Sequence, residues 1–131
     1  MLAKANRVTT ADDYRFVVRR GAKVAGAHTV SYIRSRETGA DARFGFIVSK
    51  KVGTAVRRNL VRRRLKAACH ELVRDGVTGF DLVVRALPSA SNAEWSALRA
   101  EVHRAASDPR FARGSRAPRV EASTPPEAGD A

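Results

Sequence analysis

The sequence predicts an α+β fold, a compact α/β sandwich with the element order α-β-β-β-α-β-α. Three observations predict it. Helix caps precede apolar residues at helical spacing, β-rich runs bounded by Gly or Pro lie between them, and one long amphipathic segment occupies the centre. The first helix opens at Thr9-Thr10-Ala11-Asp12-Asp13, where a Thr or Asp cap is followed by acids in the first turn. It runs to Arg20 and stops at Gly21. Residues 24–36 carry Val30, Tyr32 and Ile33 and read as β structure, divided in two in the predicted order. Polar residues around Gly39 make a turn, and residues 43–49, with Phe44, Phe46, Ile47 and Val48, form the next β run. Gly53-Thr54 starts a long helix to about Asp75, ended by Gly76. Residues 79–87 (Phe80, Leu82, Val83, Val84) form a further strand, closed by Pro88. Ser91-Asn92-Ala93-Glu94 resembles a capping box before a final helix over 93–106.

Composition bounds the function. The chain has 131 residues, which suits one domain. Hydrophobic residues make up 44%, enough for a core. A single Cys excludes an intrachain disulfide framework and a Cys-based zinc site. Apolar runs such as Phe44 to Ser49 fall far short of the roughly 20 residues of a membrane span. Residues 1–7 hold no secretory signal core. A soluble, cytoplasmic protein with no membrane partner is expected.

The net charge is +12, from 25 Lys and Arg against 13 Asp and Glu. Residues 108–131 are neutral: Arg110, Arg113, Arg116 and Arg119 balance Asp108, Glu121, Glu127 and Asp130. That stretch is rich in Pro, Ala and Gly and reads as a disordered tail, leaving 1–107 as the folded, basic domain. Within it, residues 50–66 carry Lys50, Lys51, Arg57, Arg58, Arg62, Arg63, Arg64 and Lys66 and no acid. Such a run repels itself, which favours a polyanionic partner over a merely solvated face.

The central helix resolves at 100° per residue. With Val56 at zero, Ala68, Val61, Leu72 and Leu65 fall at about 120–180° and form a core stripe. Arg58, Arg62, Lys66, Asn59 and Arg63 fall at about 200–340° and form a basic face beside it. Arg side chains on a rigid helix suit bidentate contacts to phosphates. The helix N-terminus adds free amides beside Lys50 and Lys51.

Catalytic signatures are missing. Asp12-Asp13 is the one adjacent acid pair and is explained by capping; Glu71, Asp75 and Asp81 are isolated in sequence. His28, His70 and His103 show no metal spacing, and Cys69 sits beside the apolar stripe as a buried thiol. No phosphate-binding glycine loop is present. Among the aromatics Tyr14, Phe16, Tyr32, Phe44, Phe46, Phe80, Trp95 and Phe111, most belong to a core, but a Tyr at its edge can stack on an unpaired base. The residues alone support an RNA- or DNA-binding α/β domain.

Ser49-Lys50-Lys51-Val52-Gly53-Thr54-Ala55-Val56-Arg57-Arg58-Asn59-Leu60-Val61-Arg62-Arg63 resembles the signature of the bacterial ribonuclease P protein subunit. That signature is a Ser-Lys-Lys-x-Gly turn leading into a helix with an Arg-Asn-Arg core. Asn6-Arg7, Asp13-Tyr14, Tyr32 and Gly79-Phe80-Asp81-Leu82-Val83-Val84 resemble the flanking parts, so the likeness covers about residues 5–106. It implies a subunit of an endoribonuclease in which a catalytic RNA, using Mg2+ held mainly by RNA and substrate, removes the 5′ leader of precursor tRNA. The protein then supplies no catalytic residue and needs no obligate protein partner.

By this resemblance Lys50, Lys51, Arg57, Arg58, Asn59, Arg62, Arg63, Arg64 and Lys66 face the catalytic RNA, and Tyr14, Val18 and Tyr32 line a cleft for the leader. The family fold also implies a left-handed β-α-β crossover, against a general preference for the right-handed form. Three residues depart from the pattern. Leu60 replaces the second Arg, Val18 stands where an aromatic is common, and Arg64 stands where an apolar residue is usual. Leu60 and Arg64 lie one turn apart on the same side, so Arg64 is expected to replace the missing charge. A ribosomal or nucleoid-type nucleic-acid-binding protein is the alternative, and a protein-only nuclease a remoter one.

Overall fold

The computed structural model describes residues 2–108. The tail expected over 108–131 lies, apart from Asp108, outside the described residues. Helix α1 (Ala11–Arg20) is followed by strands β1 (Ala22–Ala25), β2 (Thr29–Ser35) and β3 (Arg43–Ile47). Helix α2 (Ala55–Arg74), strand β4 (Phe80–Ala86) and helix α3 (Trp95–Ala106) complete the order, with short 3-10 turns at Lys4–Asn6, Lys50–Val52 and Pro88–Asn92. This is the predicted α-β-β-β-α-β-α sequence of elements.

Local chemistry accounts for most boundaries. The Thr10 hydroxyl accepts the Asp13 N–H at 3.1 Å, which caps α1 with Asp12 and Asp13 in its first turn. The Thr54 hydroxyl accepts the Arg57 N–H at 3.3 Å and starts α2. The β run predicted over 24–36 divides into β1 and β2 at a turn where the Gly26 N–H donates to Thr29 O at 2.8 Å. That turn is held from below by Glu101 of α3, whose buried carboxylate accepts the His28 N–H and the Thr29 hydroxyl.

The capping box predicted at Ser91–Glu94 does not form. Pro88 opens a 3-10 turn instead, closed by the Ala93 N–H on Ala90 O at 3.2 Å, and Ser91 lies inside it. The final helix therefore starts at Trp95, not Ala93, with Glu94 as an N-cap that makes no side-chain cap bond.

The strands form one sheet in the order β1-β2-β4-β3. β1 and β2, and β2 and β4, are antiparallel, while β3 and β4 are parallel neighbours joined through α2, the β-α-β unit that the resemblance implies. One face packs Ile33, Phe44, Leu82 and Val84 against Val61, Leu65, Ala68 and Leu72 of α2 and Leu98 and Val102 of α3. The core stripe read from the sequence is the stripe that is buried. The opposite face carries α1, whose single buried residue is Val17. The N-terminal segment runs beside the outer edge of β3: the Val8 N–H donates to Phe44 O at 2.9 Å, and Asn6 Nδ2 to Ala42 O at 2.8 Å.

Candidate nucleic-acid interface

The surface is built from the turn before α2 upward. The Ser49 hydroxyl accepts the Lys51 N–H at 3.3 Å, and Val52 is buried beneath. Gly53 follows at φ 149°, ψ −160°, a conformation that is essentially glycine's alone. The turn leaves Lys50 and Lys51 exposed at the N-terminus of α2, whose first turn holds no acid to oppose them. The positive end of the helix dipole reinforces them.

The basic residues of α2 point three ways. On one flank, Arg57 Nη1 donates to Ser91 O at 3.3 Å and Arg64 Nη1 to Ala93 O at 3.0 Å, so both lean on the Pro88–Asn92 turn and its sequel. Arg64 and Arg63 also line a shallow apolar groove with Leu60, Ala67 and Trp95. Outward, Asn59 and Arg63 are exposed, and the Asn59 carbonyl oxygen accepts from Arg62 Nη1 at 2.9 Å. On the other flank Arg62 and Lys66 border a pocket with Arg7, Tyr14 and Phe46. Arg58 belongs to this flank by its place on the helix, and its Nε is buried without a hydrogen-bond partner among the described residues. None of Lys50, Lys51, Arg57, Arg58, Arg62, Arg63, Arg64 or Lys66 pairs with a carboxylate among the described residues.

The expected cleft lies on the α1 face of the sheet. The Tyr14 hydroxyl accepts the Phe46 N–H at 3.1 Å, and the ring covers Gly45 so closely that a Cβ there would meet ring carbons at 2.6 and 2.7 Å. Tyr14 and Val18, four residues apart on α1, share a groove with Ile47, Arg15 and Arg19. Tyr32 is half-buried on β2, in a row that pairs it with Val83, which in turn pairs with Gly45. It thus lies two strands, about 10 Å, from the floor under Tyr14. Tyr14 borders both the cleft and the Arg62–Lys66 pocket, so the two surfaces are continuous.

Two of the isolated acids, Asp81 and Glu71, have structural partners. Asp81, 2% exposed, takes a two-point contact from Arg43 at 2.8 Å for each bond, with Arg36 at 3.8 Å. Arg43 also reaches Asp13 at 3.6 Å, and Asp12 pairs with Arg15. Asp81 holds Arg43 above the ordinary guanidinium range by its hydrogen bond. Glu71 accepts from Arg99 Nε at 2.7 Å and lies 3.0 Å from His103 Nε2. Partial burial pulls its carboxyl upward, but Arg99 and His103 together outweigh that and hold it below the ordinary glutamate range. Burial pushes the Cys69 thiol well above its usual range, as an inert core residue requires. Among the described residues no group of three or more His, Cys, Asp or Glu is placed to hold a metal ion, and no helix is long and apolar enough to cross a membrane.

Sequence reading missed Arg7, Arg19 and Ile47. Arg7 and Ile47 reach the surface only through strand pairing, while Arg19 was legible as a helical neighbour of Arg15 and Val18.

The sequence profile of the family described as Ribonuclease P matches residues 2–109. A ribonuclease P protein component of Clavibacter michiganensis is 46% identical over 102 residues, 78% of this chain and 90% of its own. One from Pseudarthrobacter chlorophenolicus is 46% identical over 99 residues, 76% and 73% of the two chains. Among solved structures, the Staphylococcus aureus RNase P protein superposes with a TM-score of 0.66 at 24% identity, covering 76% of this chain and 91% of its own. The Thermotoga maritima RNase P protein, in complex with 1-(4-fluorophenyl)-2-thiourea, gives 0.67 at 24% identity, covering 78% and 98%. At that identity the two structures show a shared fold.

Proposed function

The chain belongs to the ribonuclease P protein family, and from that premise we propose how it serves as the protein subunit: it docks on the catalytic RNA and holds the 5′ leader of precursor tRNA. Lys50, Lys51 and the basic residues of α2 take the catalytic RNA, and the groove between α1 and the sheet takes the leader. In this reading the RNA hydrolyses the phosphodiester with Mg2+ held mainly by RNA and substrate, and the chain supplies no catalytic residue. Its work is cytoplasmic and needs no obligate protein partner.

The observation that carries the reading is the continuity at Tyr14. A rigid array of cations, without carboxylate partners among the described residues, meets a partly aromatic groove at one side chain. Cations neutralise phosphates and release counterions, which supplies affinity for a folded RNA. A groove walled in part by a tyrosine ring suits unpaired bases, whose faces stack without regard to sequence. Two RNA segments, one structured and one single-stranded, are thereby brought to adjoining surfaces. Arg64 contributes to the first: one of its nitrogens is spent on Ala93 O, and its remaining donors replace the charge absent at Leu60.

Reconstitution tests this. The chain with its cognate RNA is expected to cleave precursor tRNA at lower magnesium than the RNA alone, and the isolated chain to cleave nothing. Equal affinity for duplex DNA and for the catalytic RNA would overturn it in favour of a general nucleic-acid-binding protein.

A further inference from the structure

Strand β4 is buried at every position except Arg85. Alternation along the strand puts Arg85 on the same face as Asp81 and Val83, the face that α1 covers only in part. Its neighbours across the sheet are Val30 on β2 and Ile47 on β3. Ile47 is the residue that shares the groove with Tyr14 and Val18. Tyr32 stands one row away, opposite Val83. Arg85 thus stands on the cleft's face of the sheet, beside Ile47 and one row from Tyr32.

The guanidinium has no hydrogen-bond or ion-pair partner among the described residues. The nearest acid of its own strand and face is Asp81, four residues or about 13 Å along the strand, and that carboxylate is committed to Arg43 and Arg36. The cleft wall is aliphatic at Val18 and Ile47, which gives contact area but no directional hold on a polar chain. A cation beside that wall supplies a charge-assisted hold on a phosphate.

We propose that Arg85 is a further substrate-contacting residue of this subunit, its guanidinium binding a phosphate of the single-stranded leader while the leader's bases lie against Tyr14, Val18 and Tyr32. This rests on the cleft reading given above and adds to it a named phosphate site.

The test compares holoenzyme reconstituted with the natural chain, Arg85→Ala and Arg85→Lys. Each is titrated with precursor tRNA bearing a leader of a few nucleotides and with the same tRNA lacking it. Affinity for the catalytic RNA alone, measured separately, reports that the variants fold. Arg85→Ala is expected to bind the leader-bearing precursor about tenfold more weakly and the leaderless tRNA unchanged. The salt slope for the precursor is expected to fall by roughly 0.7, the value of one single-strand phosphate contact. Arg85→Lys is expected to recover most of the loss, since a point charge suffices for one phosphate. Natural chain that prefers the leader, with Arg85→Ala preferring it equally, overturns this proposal and leaves the cleft reading standing. Equal losses on both tRNAs, or a loss toward the catalytic RNA, place Arg85 outside the leader site and overturn it too. Failure of Arg85→Lys to recover any affinity overturns the phosphate assignment. A natural holoenzyme indifferent to the leader overturns both readings.

Discussion

Arg43 and Arg85 stand on one face of one sheet, in neighbouring strands and two rows apart, yet they live in opposite circumstances. Arg43 is clamped by Asp81, approached by Asp13 and accompanied by Arg36, and Arg34, in the same row across β4, stacks at 4.2 Å over Phe16. Arg85 touches no acid among the described residues. The same division holds across the molecule. Arg99 is tied to Glu71, while the cations of α2 have no carboxylate partners among the described residues. A carboxylate partner ties Arg43 and Arg99 into the fold, whereas Arg85 keeps its charge uncompensated among the described residues.

Removing Asp81 is the harshest test of that division. Asp81→Ala leaves Arg43 partly buried without its counter-charge, and a loss of roughly 2–4 kcal/mol in unfolding free energy is expected from denaturant titration. Affinity of the folded fraction for the catalytic RNA should hardly move; a large fall in it would erase the distinction between the two kinds of cation. Arg64 is the intermediate case, with one nitrogen on Ala93 O and no acid partner. Arg64→Ala is expected to cost about 0.5–1 kcal/mol of stability and to lower the salt slope for catalytic RNA by somewhat less than one. An unchanged affinity and slope would assign Arg64 wholly to the fold.

Glu71→Gln has the smallest expected effect. The carboxyl titrates lower in the folded chain than in the unfolded one, so its contribution is present above the ordinary value near 4.5 and fades as pH falls through the depressed one. Thermal unfolding should show a difference of a few tenths of a kcal/mol at neutral pH that vanishes in acid. A difference that persisted at low pH would mean that Glu71 acts through packing.

What was legible in the sequence was whatever its own neighbours determine. Thr10 and Thr54 bond to amides three residues on, and the apolar stripe of α2 follows from helical period alone. The failure at Ser91–Glu94 has the same root: the motif was read locally, but Pro88 upstream had already committed the backbone to a 3-10 turn. Features that rest on distant partners were hidden. Glu101 fixes the β1–β2 turn from 73 residues away, and Tyr14 is aimed by the Phe46 N–H and given room by Gly45, both beyond local pattern. Arg85 stands in the sequence as the lone charge between Leu82 and Ala86, but its place beside Ile47 depends on the pairing of β4 with β3, which no local pattern encodes.

The N-terminal segment beside β3 has a consequence for self-association. A sheet ending in an unpaired strand offers a row of free amides and carbonyls on which another copy can template. Here Val8 and Asn6 occupy Phe44 O and Ala42 O along that row, and Leu2 and Val8 are buried as anchors. The opposite edge, β1, is only four residues long with Lys23 exposed on it, which blunts it as well. Both edges of the sheet are thereby poor templates for a second copy of the chain.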